Sequence, residues 1–200
     1  MAEALSPERC FIEVMPQGVV QWGARQTAAR PDDPADQLET RLFRQLLARP
    51  ASLPWRASRD LAQLLPGAGI QAARAMFRLK SRGAIGIRQV PPADDALPAI
   101  GLQRDLQALV DRGAEAVLLT DGDGLVLAHA GLDIDSAERW AFLMQCGGEL
   151  VNQRSLQFEM GEGLTGSDTR CALHLRQAGG LDAPALVQLA RRLVRTWGRR

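Results

Sequence analysis

The sequence predicts an α+β protein of two units: a helical one over residues 38–90 and an α/β sandwich over 99–200, joined by a proline-rich stretch at 91–98 and preceded by a hairpin and connector at 1–37. Three observations carry that prediction. Glu115 to Gly131 are two apolar runs folded on Asp-Gly pairs, the pattern of a β-hairpin. Leucines and phenylalanines recur at three- and four-residue spacing from Leu38 to Phe77, the pattern of packed helices. Charge divides along the chain, with ten Lys/Arg against two acids over Glu39–Val90, a net +8, and six against thirteen over Pro98–Ala190, a net −7. Such asymmetry argues for two units with different neighbours. The cations are almost all arginine, with Lys80 as the one lysine, as a GC-rich bacterial coding sequence would produce.

Taken in order, Cys10–Met15 and Val19–Trp22, separated by Pro16-Gln17-Gly18, are expected to form a short hairpin, and Gly23–Gln37, holding Pro31 and Pro34, an exposed connector. Leu38, Leu42, Phe43, Leu46 and Leu47 then repeat as a helix. Ser58 is expected to cap a second, short helix holding Leu61, Leu64 and Leu65, and Pro66–Gly69 to turn into a third. In the third helix Ile70, Ala73 and Phe77 share one side, and Gln71, Arg74, Arg78 and Arg82 share another. Ala84–Val90 reads as a strand, and Pro91–Pro98 as a semi-rigid linker.

The second unit opens with an amphipathic helix on Leu102, Leu106, Leu109 and Val110. Val117–Leu119 and Leu125–Leu127 flank the hairpin turn, where Asp121-Gly122 and Asp123-Gly124 tolerate the positive φ of a two-residue connection. Asp135-Ser136 is expected to open a helix running to about Val151, followed by strands at Ser155–Met160 and Arg170–Gln177. A last helix, with Asp182 as cap and Pro184 early in it, runs through Leu186, Leu189, Leu193 and Val194 to Trp197.

Helix, Asp-Gly hairpin, helix, in the wording Asp-x-Asp-Gly-x-Val-x-Ala-x-x-Gly over Asp121–Gly131, resembles the roadblock family, relatives of the dynein light chains, over residues 99 to 197. One departure stands out: the family has three strands after its long helix, and here the third would have to lie in Gly161–Thr169. Helix, short helix, turn, helix, strand over 38–90 resembles a winged-helix domain, although Pro91-Pro92 follows the single strand where a wing needs a second. The first resemblance implies homodimers that build a continuous sheet as a platform, often for small GTPases. Trp140, Phe142, Leu143 and Leu150 are the candidate dimer interface. The second implies that Gln71, Arg74, Arg78 and Arg82 enter a DNA groove or meet a protein partner, or else form a solvated helix side.

No catalytic set assembles from the sequence. His129 and His174 are the only histidines, and His129, on the hairpin's second strand, is expected to be satisfied by a backbone partner. Cys171 and His174 sit three apart on a strand and point to opposite faces. Asp121-x-Asp123 starts like a calcium loop, but Leu125 and Leu132 stand where oxygens are needed. Gly161–Gly166 spells Gly-x-Gly-x-x-Gly, yet leads to a strand and not to a helix N-terminus. Neither a metal nor a cofactor is expected. Cys10, Cys146 and Cys171 are odd in number and read as reduced thiols in a cytoplasm; no apolar run reaches the ~20 residues of a membrane helix, and Met1–Arg9 has no signal-peptide pattern. The expected function is a non-enzymatic dimeric scaffold or regulator of a small GTPase or other signalling protein. The alternatives are a DNA-binding transcription regulator that dimerises through its second unit, and an assembly subunit of a secretion or pilus system.

Overall fold

A computed structural model of the chain describes residues 10–27, 33–92, 101–148, 151–162, 168–178, 181 and 184–197. The first strand, β1 (Phe11–Val14), is followed at once by a helix, α1 (Pro16–Thr27). The expected Cys10–Trp22 hairpin does not form. Pro16, with its φ preset and no N–H to lose, serves as the first helical residue, and Val19 and Trp22, three apart, bury one face of the helix. The strand finds its partner about seventy residues later in β2 (Ile85–Arg88), with Phe11 opposite Arg88 and Val14 opposite Ile85. β2 therefore pairs backwards in sequence, and no wing follows it among the described residues.

Between these strands lie α2 (Pro34–Ala48), α3 (Ala57–Leu64) and α4 (Gly69–Ser81). α2 begins four residues earlier than the leucine repeat suggests, because Asp33 caps it by accepting from the Ala35 N–H at 2.8 Å. α3 is not capped by Ser58. Asp60 reaches back instead, its carboxylate accepting from the Arg56 N–H at 2.8 Å and from Arg49 at 3.0 Å.

The second half runs α5 (Leu102–Val110), β3 (Ala114–Asp121), β4 (Val126–Ala130), α6 (Ile134–Gln145), β5 (Gln153–Glu162), β6 (Asp168–Ala178) and α7 (Pro184–Trp197). Its four strands form one antiparallel sheet in the order β4-β3-β6-β5. No third strand after α6 exists among the described residues. The stretch proposed for it is shared between the ends of β5 and β6, and residues 163–167, like Asp182 and the 93–98 part of the linker, lie outside the described set.

The hairpin turn is wider than two residues. Asp121 and Leu125 close it, the Asp121 carboxylate accepts from the N–H groups of Asp123 and Leu125, and Gly124 takes φ +80°. The register slips between Leu119 and Thr120, a bulge that re-aims the end of β4.

α6 begins slightly earlier than expected and ends sooner. Asp133, not Asp135, is the cap, accepting from the Ser136 N–H at 2.8 Å. At the other end Gly147 takes φ +72°, and N–H bonds from Gly147 to Met144 and from Gly148 to Leu143 complete a Schellman stop six residues before Val151 is reached from Gln145.

One sheet face carries α5 and α7, and α1 joins them over β5. Trp22 links the halves, its ring 5.9 Å from Phe43 and 5.2 Å from Phe158. Gly23 sits so close to the strand that a Cβ there would lie 2.8 Å from that of Leu156. A single apolar cluster consequently runs from Ile12, Leu42 and Leu79 to Leu106, Leu173 and Leu189. Among the described residues the opposite face is covered by α6, through Ala137, Trp140 and Ala141 on Ala116 and Leu118.

Candidate interaction surfaces

On α4 the buried side is Ala72, Ala75 and Leu79. This choice decides where the other residues go. Gln71 and Arg74 are exposed, as the sequence suggests. Arg78 and Arg82, in contrast, are drawn to one buried carboxylate: Arg78 Nε donates to Glu39 Oε2 at 2.9 Å and Arg82 Nη1 to Glu39 Oε1 at 2.7 Å, while Arg78 Nη2 also donates to the Ala35 carbonyl. Glu39 is 2% exposed. The four candidate residues thus divide into an outward pair and a pair that ties α4 to α2.

The side holding Ile70, Ala73 and Phe77 faces solvent, with Ile70 68% and Phe77 71% exposed. Sequence reasoning passed over both Glu39 and this exposure. A signal for Glu39 was present: it stands three and four residues before Leu42 and Phe43, on the apolar stripe of α2, where a carboxylate must find cations to offset its desolvation.

The candidate dimer residues on α6 also divide. Trp140 is 2% exposed. It belongs to its own fold, its Nε1 donating to Gln153 Oε1 at 3.1 Å with Arg176 stacked 5.3 Å from its ring centre. Phe142 and Leu143 point away from the sheet, 65% and 43% exposed, and Leu150 lies outside the described residues. Leu125, Leu127 and Ile134 add further exposed apolar surface on the hairpin and the start of α6.

Beneath α6 the polar groups form a closed set. Gln153 Nε2 donates to Ser155 Oγ at 3.0 Å, which frees the Ser155 hydroxyl hydrogen for His174 Nδ1 at 2.8 Å; His174 Nε2 lies 3.5 Å from Thr120 Oγ1. Burial pushes the His174 pKa down to about 4, so the ring is neutral at ordinary pH. On the other sheet face burial pushes the Cys171 thiol up to about 12, far from a reactive thiolate. His129 departs from expectation: its Nδ1 is buried without a hydrogen-bond partner among the described residues, while its main-chain carbonyl accepts from Gln103 Nε2 at 2.6 Å. Hydrogen bonds from the Ser136 main chain and side chain hold the Asp133 carboxyl below its usual range. Among the described residues no three His, Cys, Asp or Glu side chains gather as a metal site, and no helix is long and apolar enough to cross a membrane.

The crystal structure of a Roadblock/LC7 domain from Streptomyces avermitilis is similar to 48% of this chain and to 94% of its own, at 27% identity and a TM-score of 0.28. No family model and no curated protein matches the sequence.

Proposed function

We propose that the protein is a non-enzymatic dimeric scaffold or regulator, pairing through its roadblock-like half to present a platform for a small GTPase or another signalling protein. The observation that carries this reading is the division of α6 into two apolar sides. Ala137, Trp140 and Ala141 fill the space over the sheet, so Phe142 and Leu143 are surplus to the fold. Isolated exposed apolar residues are ordinary, but two large ones side by side on a helix, with Leu125, Leu127 and Ile134 in the same half, suit an interface core. β5 adds a second contribution. It is a ten-residue edge strand whose outer backbone groups have no strand partner among the described residues, and the resemblance implies a sheet continued between copies.

The test uses the full chain, because α1 shares the core of the second half and a fragment lacking it would expose Leu156 and Phe158. Sedimentation velocity at about 10 μM, where a stable interface of ordinary size stays associated, should give a dimer. Phe142→Asp with Leu143→Asp should give a folded monomer. A monomeric parent, or a double variant that dimerises unchanged, would overturn the reading.

A further inference from the structure

α4 presents an outward face that its own fold does not need, and we propose that this face docks an acidic amphipathic helix of a partner protein. The inference goes beyond the platform reading, because it concerns the opposite half of the chain. Ile70, Ala73 and Phe77 stand at i, i+3 and i+7, a row about 10 Å long at 1.5 Å rise per residue, with the inner side of the helix already filled by Ala72, Ala75 and Leu79. The row has a shape. A small side chain lies between two large ones, so a crossing helix can bring its axis closest at Ala73 and set its own ridge between Ile70 and Phe77.

The charges around the row specify the partner further. Arg74 and Lys80 are exposed and make no ion pair among the described residues. α4 contains no acid, and both acids of the Glu39–Val90 segment are spent internally, Glu39 on Arg78 and Arg82 and Asp60 on Arg49. The face is therefore apolar along its centre and cationic beside it. Its complement is a helix with an apolar stripe flanked by carboxylates, a recognised mode of helix-on-helix docking. Duplex DNA suits it less well: a recognition helix offers polar side chains to base edges, whereas the centre of this face is Phe77 and Ile70, and two of the three candidate arginines are held by Glu39.

The test places the photo-crosslinking residue p-benzoylphenylalanine at position 77 of the full-length chain, expressed in the cells that naturally make it, with position 112 as an exposed control away from α4. Cross-linked peptides are sequenced by mass spectrometry. The expected adduct is a segment of a different protein with helical apolar spacing and an excess of Asp and Glu. Arg74→Glu with Lys80→Glu should reduce its yield at least tenfold, while Arg74→Lys leaves it within twofold. Adducts with a second copy of this chain, with nucleic acid or with lipid would overturn the proposal. So would a yield no higher than at position 112, or one indifferent to charge reversal. Sedimentation of the same position-77 variant reads the dimer separately, so failure of this proposal and failure of the platform reading give different results.

Discussion

Replacing Gly18 by Ala sets two effects of known size against each other. A helix gains stability when Gly becomes Ala, by at most about 1 kcal/mol and less in a first turn. Here the added Cβ would lie 2.5 Å from the carbonyl oxygen, 2.8 Å from the Cα and 2.9 Å from the Cβ of Ala84. These are mainly backbone atoms, and they cannot rotate away. The same carbonyl accepts the Met15 N–H at 3.0 Å where β1 passes into α1, so relief of the clash stretches that bond as well. Overpacking typically costs about 1–3 kcal/mol and a weakened hydrogen bond about 1 kcal/mol, so the clash outweighs the propensity. The expected net loss is about 1–3 kcal/mol. At about 2–4 °C per kcal/mol for a chain of this size, thermal unfolding followed by circular dichroism should show Tm lowered by roughly 2–12 °C. Gly18→Ala with a Tm equal to or above the parent's would refute the close packing of α1 on the β2 entry, and with it the reason for a glycine there.

Two further outcomes are expected. Glu39→Gln leaves Arg78 and Arg82 facing a neutral amide; since both guanidiniums are partly solvated, the loss is at the low end for charge-assisted bonds, about 2 kcal/mol in urea unfolding, against less than about 0.5 kcal/mol for the exposed Arg74→Ala, and equal effects at the two sites would contradict the division of the arginines. His174 has a folded pKa near 4 against an ordinary 6.5, so the unfolded chain takes up its proton first: stability is fully present above about pH 6.5, falls as pH drops and has lost about 3 kcal/mol from this group below about pH 4, a slope that urea titrations at pH 7, 5.5 and 4.5 should detect and that His174→Gln should remove.

Much of this architecture is legible in the sequence because it is local. Helical repeats around Leu42, Leu106 and Leu189, the Asp-Gly hairpin and the strands of β5 and β6 need only periodicity and turn chemistry, and those act over a few residues. What needed the tertiary structure is every choice between faces and partners. Cys10–Met15 reads as half of a hairpin until β2 offers a better edge far along the chain. Val19–Trp22 is β-branched and aromatic, which favours a strand locally, but Pro16 and burial against Phe43 and Phe158 make it a helix. α4 has two apolar sides, Ala72-Ala75-Leu79 and Ile70-Ala73-Phe77, and the second is the more hydrophobic. The small-residue side went inward because α2 packs closely there and Glu39 drew Arg78 and Arg82 toward it. The sequence by itself determined which segments are helices and strands in the second half and where charge accumulates. The tertiary structure alone decided which apolar surfaces remain outside, because burial depends on which neighbour arrives, and that neighbour is distant in the chain.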